Sequence, residues 1–265
     1  MRDIRNGTVT ELTSACQRGA SRSEAANRDH QKSAAIMRGM STLQTLSRGL
    51  DALEIISMQA HGLTVSDIAA DLGVDRAVAY RIVRTLQSHG LVTRTSQGKV
   101  RLGAAVATLS RRFAPQLMEV GRPVLNGLAD ETSATSFISV ADGDECVVVM
   151  VEEARGQALR VTYQEGARHP IHRGAPGLAI LASRPESASD DGAVRAARRQ
   201  GYSLTKDELQ DGATGVSVGL EGIRALSAAG LEASIGVVVI GTLDTETAVR
   251  ATKAAAAELK ELMHN

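Results

Sequence analysis

Aromatic side chains are scarce in this chain of 265 residues: three Tyr, two Phe and no Trp. Proteins that grip single-stranded nucleic acid stack bases on exposed rings, so that mode of binding is disfavoured. Cysteine is rarer still, with Cys16 and Cys146 only. Two isolated thiols make no disulfide framework, and a reducing cytoplasm is the expected compartment. No run of about 18 apolar residues exists to span a membrane. The start, MRDIRNGTVTELTSACQRGA, holds no apolar stretch suited to secretion. Net charge is absent too, since 30 basic side chains balance 30 acidic ones. A phosphate-binding P-loop and a dinucleotide-binding glycine fingerprint are both missing, which removes two large enzyme classes.

The neutral total conceals a separation. Residues 1–112 carry 16 basic and 9 acidic side chains, a net charge of +7, whereas residues 113–265 carry 14 basic and 21 acidic, a net charge of −7. A basic half beside an acidic half implies a polyanionic partner on one side only. At this length two domains are expected, each able to bury its own core. Residues 1–40 are polar, basic and poor in large apolar side chains, and read as a flexible extension.

The most informative stretch is TVSDIAADLGVDRAVAYRIVRTLQSHGLVTRTSQGKVRLG, residues 64–103. A short helix is expected over about 66–72, with Ser66 as its cap because a Ser oxygen satisfies first-turn N–H groups. Gly73 makes a tight turn. A second helix is expected over about 75–89, with Asp75 as cap and Gly90 just past its end. Ile68, Ala69 and Leu72 on the first helix face Ala79, Ile82, Val83 and Leu86 on the second, at helical spacing. Two strands, Leu91 to Arg94 and Lys99 to Leu102, then flank a Gly-containing turn. This order is a winged helix-turn-helix, a device that lays one helix in the major groove of duplex DNA. Arg76, Arg81, Arg84, Arg94, Lys99 and Arg101 all fall on the second helix or the wing. Before them, Leu43, Leu46, Leu50, Leu53 and Ile56 mark an amphipathic helix over about 42–58.

After the wing a helix is expected over about 104–113, interrupted by Pro115 and continued by Leu117, Val120, Val124, Leu125 and Leu128. From Ser133 the period becomes strand-like. SATSFISV, CVVVMVEE and ALRVTYQ read as three strands, with Asp142-Gly143-Asp144 turning between the first two. Helices are expected over about 175–183 and 192–200, strands over about 215–219 and 233–241, and a closing helix over about 245–263 capped by Asp244 or Thr245. Mixed elements around a largely antiparallel sheet make an α+β domain. His169-x-x-His172 with Glu165 nearby is weak as a metal site, because no third ligand stands at a familiar spacing. Cys146, within a strand, reads as core.

With these elements in this order, the chain resembles the IclR family of bacterial transcriptional regulators over roughly residues 42–264. The segments that carry the likeness are LGVDRAVAYRIVRTLQSHGLV with KVRLG, then GARHPIHRGAPGLAILA, then QGYSLTKDEL followed by GVSV. The resemblance implies an α+β protein in four parts: the extension 1–40, a winged helix-turn-helix domain over 41–103, a connector helix over 104–130, and a GAF-like effector-binding domain over 131–265. It implies a homodimer or homotetramer that binds double-stranded operator DNA of near-palindromic sequence, acts as a repressor and answers to a small-molecule effector. It implies no cofactor, no metal, no membrane partner and no enzymatic activity. DNA contacts then fall on Ser66, Arg76, Ala77, Val78, Tyr80, Arg81, Arg84, Arg94, Lys99 and Arg101. Effector contacts fall on Gly174, Ala175, Pro176, Gly177, Leu178, Val218, Val238 and Ile240.

Departures from the family pattern sharpen these expectations. Ala77 and Val78 stand where Ser-Thr is usual, so contacts lean on Arg76, Tyr80, Arg81 and Arg84. Leu178 replaces the usual Lys. Val238 and Ile240 occupy positions where some relatives hold a carboxylate with small polar side chains, and Val218 a position where a relative has Cys. A carboxylate leaving water needs donors, so an apolar or aromatic effector fits better than a small hydrophilic acid. The segment between Ala182 and Gly201 is short, implying loss of a helix over the pocket. Two other readings stand beside this one: a small metabolic enzyme with an accessory helical domain, and a regulator that answers to no ligand.

Overall fold

A computed structural model of the chain describes residues 43–110, 112–154 and 163–264. The extension 1–40 and most of the strand expected at 158–164 lie outside the described residues. The chain divides into two compact units between Thr108 and Leu109.

The first unit contains α1 (Gln44–Ser57), α2 (Val65–Asp71), α3 (Arg76–Ser88), β1 (Val92–Arg94) and β2 (Val100–Leu102), and α4 (Ala104–Ser110) follows. The cap of α2 is Thr64, not Ser66. The Thr64 hydroxyl accepts from the Asp67 amide at 3.2 Å, and the Asp67 carboxylate accepts from the Thr64 amide at 2.9 Å. This reciprocal box satisfies two free donors, which a lone Ser66 cap would not. Asp75 does precede α3, but its side chain makes no cap hydrogen bond. Ala52, Ile56, Ile68, Ala79, Val83 and Val100 are almost completely buried and form one small core. Leu63 forms an isolated antiparallel bridge to Val100 at the edge of the two-stranded wing. Gly62, at φ +72°, permits this approach: a Cβ there would lie 2.7 Å from the Val100 carbonyl oxygen.

The second unit begins with α5 (Pro115–Thr132), where Pro115 takes the first helical position, a place that needs no N–H. The expected helix over 104–113 thus ends early at Ser110, and a new one starts at Pro115. β3 (Thr135–Asp142), β4 (Glu145–Glu152), β5 (Arg168–Pro170), β6 (Ser203–Lys206), β7 (Ala213–Gly219) and β8 (Ala233–Ile240) make one antiparallel sheet in the order β5-β4-β3-β8-β7-β6. α6 (Gly174–Ser183), α7 (Gly192–Gln200), α8 (Arg224–Ala228) and α9 (Thr245–Leu262) complete it. The helix expected over about 192–200 is α7, which packs on α6 and β6.

The sheet has two differently clothed faces. On one, Ile138, Val140, Met150, Val216, Ile235 and Val237 pack with α5 and α9 through Leu125, Leu128, Ala248 and Leu259. The other face is covered by α6, which lies close because small residues meet it. A Cβ on Gly219 would stand 2.8 Å from the Ala179 carbonyl oxygen, and one on Gly215 would meet the Ala175 Cβ at 3.6 Å. None of the described helices is long and apolar enough to cross a membrane.

Candidate nucleic-acid interface and sheet cluster

Helix α3 is amphipathic in a way that sorts its residues. Ala79, Ile82, Val83 and Leu86 are buried, while Arg76, Ala77, Tyr80, Arg81 and Arg84 are exposed. Val78 departs from expectation: it is half-buried and packs against the small core, so its side chain is not offered outward as Ala77 is. Ser66 is exposed on α2 and is free of the capping role assigned to it from sequence.

The wing supplies three further cations. Arg94 is exposed at the end of β1 and lies over the Tyr80 ring, with its guanidinium carbon 5.5 Å from the ring centroid. Arg101 is exposed on β2, opposite Thr93. Lys99 is half-buried beside the α2 cap. Hydrogen bonds from the Thr64 hydroxyl and amide hold the Asp67 carboxyl below its ordinary range, and the Lys99 ammonium adds to the effect. Lys99, Arg76, Arg81, Arg84, Arg94 and Arg101 all make no ion pair with another described residue. The outward face is cationic and uncompensated, and such a face attracts a polyanion.

In the second unit, Gly174, Ala175, Pro176, Gly177 and Leu178 are all buried in the first turns of α6. The amides that open this helix are already engaged. Gly174 N–H donates to the Glu208 carboxylate at 2.8 Å, and Ala175 N–H donates to the Thr205 hydroxyl at 3.0 Å. The Arg173 guanidinium also reaches the Glu208 carbonyl oxygen. A negative charge at a helix N-terminus is favourable, and here the chain provides its own.

Val238 and Ile240 join Phe137, Val148, Val151, Tyr163, Ala167 and Ala213 in an apolar cluster on the α6 side of the sheet. Val218 does not. It pairs with Ile235 and so points to the α5/α9 side, while its neighbour Ser217 points toward α6. The expectation for Val218 is corrected by one residue of register, which in a strand reverses the face.

The α6-side face is not wholly apolar. Ser217 and Ser234 are fully buried there, and neither hydroxyl has a hydrogen-bond partner among the described residues. Ser139, also buried, faces the Cys146 thiol and the Tyr163 hydroxyl. Burial pushes the Cys146 thiol up to about 12 and outweighs the lowering effect of Ser139, so this is no thiolate nucleophile. Burial raises the Tyr163 hydroxyl as well. The Tyr163 ring packs on Phe137 with centroids 4.8 Å apart. Burial lowers His169 from its ordinary value. Its Nδ1–H donates to the Pro170 carbonyl at 3.1 Å, leaving Nε2 to face the Tyr163 hydroxyl at 3.4 Å. His172 is exposed, Glu165 pairs with Arg122, and among the described residues no group of three potential ligands gathers for a metal. Sequence reasoning missed Phe137, Tyr163, Ser139, Ser217 and Ser234. The alternation within SATSFISV and GVSVG was the available signal.

The IclR helix-turn-helix domain model matches residues 45–96. Among curated proteins, the HTH-type transcriptional regulator Rv1719 of Mycobacterium tuberculosis is 31% identical over 131 residues, covering 48% of this chain and 50% of that protein. The chain thus aligns with about half the length of that relative. The HTH-type transcriptional regulator XynR of Escherichia coli is 25% identical over 205 residues, covering 68% of this chain and 81% of that protein. Among solved structures, an IclR homologue from Microbacterium hydrocarbonoxydans complexed with 4-hydroxybenzoate shares the fold with a TM-score of 0.68 at 21% identity, over 83% of this chain and 99% of that one.

Proposed function

We propose that the chain is a transcriptional regulator of the IclR family, a repressor that binds a near-palindromic operator in duplex DNA under control of a small-molecule effector. The observation that carries the DNA reading is the uncompensated cationic face of α3 and the wing. With α3 in the major groove, Arg76 near its N-terminus forks onto a guanine, a contact worth about 1–3 kcal/mol of discrimination when bidentate. Ala77 meets a thymine methyl. Tyr80, Arg81 and Arg84 reach base edges or phosphates. Ser66, Arg94 and Arg101 hold the backbone, with a smaller share for Lys99, and such contacts position without carrying sequence. Val78 supports α3 from beneath.

The assembly is a homodimer or homotetramer in the cytoplasm. Supporting this, Leu46 and Leu50 of α1 are 59% and 56% exposed and lie on one apolar stripe available to a second copy. Two-fold symmetry then implies half-sites about one helical turn apart.

The effector site is the GAF-like second unit, between α6 and the sheet. Because Glu208 and Thr205 already occupy the opening amides of α6, the apolar cluster around Phe137, Tyr163, Val238 and Ile240 favours an apolar or aromatic compound over a small acid. Ser217 and Ser234 offer it a small number of hydrogen bonds. The compound must favour one arrangement of the protein over another, or it changes nothing.

Selection from randomised duplexes by the full-length protein tests the DNA reading: an enriched near-palindrome is expected, and no enrichment refutes it. A thermal-shift and DNA-affinity screen that starts from 4-hydroxybenzoate and other aromatic acids, alcohols and amides tests the effector. A screen in which no compound alters either quantity favours a regulator that answers to no ligand.

A further inference from the structure

We propose that Arg94 of the wing is a positioning residue for Tyr80, so that sequence discrimination by α3 runs partly through the wing. The inference rests on the DNA-binding reading above. Its basis is the stack of the Arg94 guanidinium on the Tyr80 ring, 5.5 Å from carbon to centroid. This lies inside the limit of about 6 Å within which a ring face attracts a cation.

The two partners come from different elements, so the stack ties the wing to the recognition helix at the surface both present to DNA. Tyr80 is 51% exposed, and its neighbours one helical turn away, Arg76 and Arg84, are exposed as well. A mobile side chain must be ordered when DNA binds, and that ordering weakens association. A guanidinium laid on one face orders the ring beforehand. Arg suits this role better than Lys, because its planar group stacks while its charge persists. The Tyr80 hydroxyl, the ring's one hydrogen-bonding group, then meets a base edge from a set direction. It has no hydrogen-bond partner recorded among the described residues that would withdraw it from that task.

A plain phosphate anchor at Arg94 behaves differently. Its loss weakens every duplex alike and lowers the steepness of the salt dependence by about one contact. Loss of a positioning residue weakens the operator beyond that, and only while Tyr80 is present.

The test uses the full-length protein, the duplex enriched by selection and a scrambled duplex of equal length. Affinities are measured for wild type, Y80A, R94A and the double variant. Both sites are exposed, and coincident thermal transitions verify that the variants remain folded. R94A and Y80A are each expected to lower the operator-to-scrambled ratio, and R94A, which also loses its backbone contact, weakens the scrambled duplex and makes the salt slope shallower by about one contact per half-site. The double variant is expected to fall short of the product of the single losses by about two- to five-fold, the strength of an exposed cation–π pair. Multiplicative losses overturn the inference, as does an R94A variant that weakens both duplexes equally. A wild-type protein with no salt-dependent binding to any duplex overturns instead the reading on which it rests.

Discussion

Removing the Glu208 carboxylate tests the claim that α6 carries its own anion. That carboxylate accepts from Gly174 N–H at 2.8 Å across a sequence separation of 34 residues. A hydrogen bond to a charged group contributes about 1.5–3 kcal/mol net, and a charge at a helix N-terminus adds about 0.3–1 kcal/mol. Glu208 is half-buried, so the low end of the sum applies and E208A is expected to cost about 2 kcal/mol. For a unit of the size of Leu109–Asn265, this lowers the thermal midpoint by about 4–8 °C. E208Q keeps an acceptor without the charge and is expected to lose about half as much. In E208A the first amides of α6 become an open anion site, so sulfate is expected to raise the midpoint of E208A more than that of wild type. The assay is thermal unfolding followed by circular dichroism at pH 7, with and without sulfate. An E208A midpoint equal to wild type, with the same response to sulfate, refutes the reasoning. It would also reopen the case for an acidic effector at Gly174 and Ala175.

Three other outcomes follow from named contacts. T64A, which breaks the capping box, is expected to cost about 1 kcal/mol, whereas S66A should stay within about 0.5 kcal/mol; chemical denaturation separates them, and the reverse order would restore Ser66 as the cap. G236A places a Cβ 2.4 Å from the Val216 carbonyl oxygen and 2.7 Å from the Phe137 ring, and overpacking of this kind costs about 1–3 kcal/mol or more; an unchanged melting temperature contradicts it. His169 is held neutral by burial, so its folded value lies below the unfolded one and the unfolded chain binds more protons as pH falls. The stability it contributes is complete above the unfolded value of about 6.5 and is lost as pH drops through the folded one. H169Q is expected to flatten the dependence of stability on pH below about 6.5, and an unchanged slope excludes His169 as a source.

The helix-turn-helix was legible because its determinants are local. Ile68, Ala69, Ala79, Ile82, Val83 and Leu86 recur at spacings of three and four and are all buried. The cap was misread because Thr64 and Ser66 are both suitable oxygens, and only the partner three residues on, Asp67, distinguishes them. Val78 was misread because exposure on a helix depends on the width of the core beneath it, which local pattern does not give. In the second unit β3 and β4 announce themselves by alternation. β5 is only three residues long and ends in Pro170, so no period marks it. Val218 pairs with Ile235 on the α5/α9 face, and since side chains alternate along a strand, a shift of one residue reverses the face. The contact of Phe137 with Tyr163 joins positions far apart in the chain, and only the fold brings them together. The occupation of α6 by Glu208 is invisible to sequence for the same reason.

The most direct measurement is the affinity of wild type and R81A for duplex DNA across a salt series. Each phosphate contact contributes about −0.9 to the slope of log K against log salt. A steep negative slope for wild type is expected, with weaker binding and a slope shallower by about one contact per half-site in R81A. Equal, weak binding by both proteins with no dependence on salt would contradict the assignment of α3 and the wing to DNA.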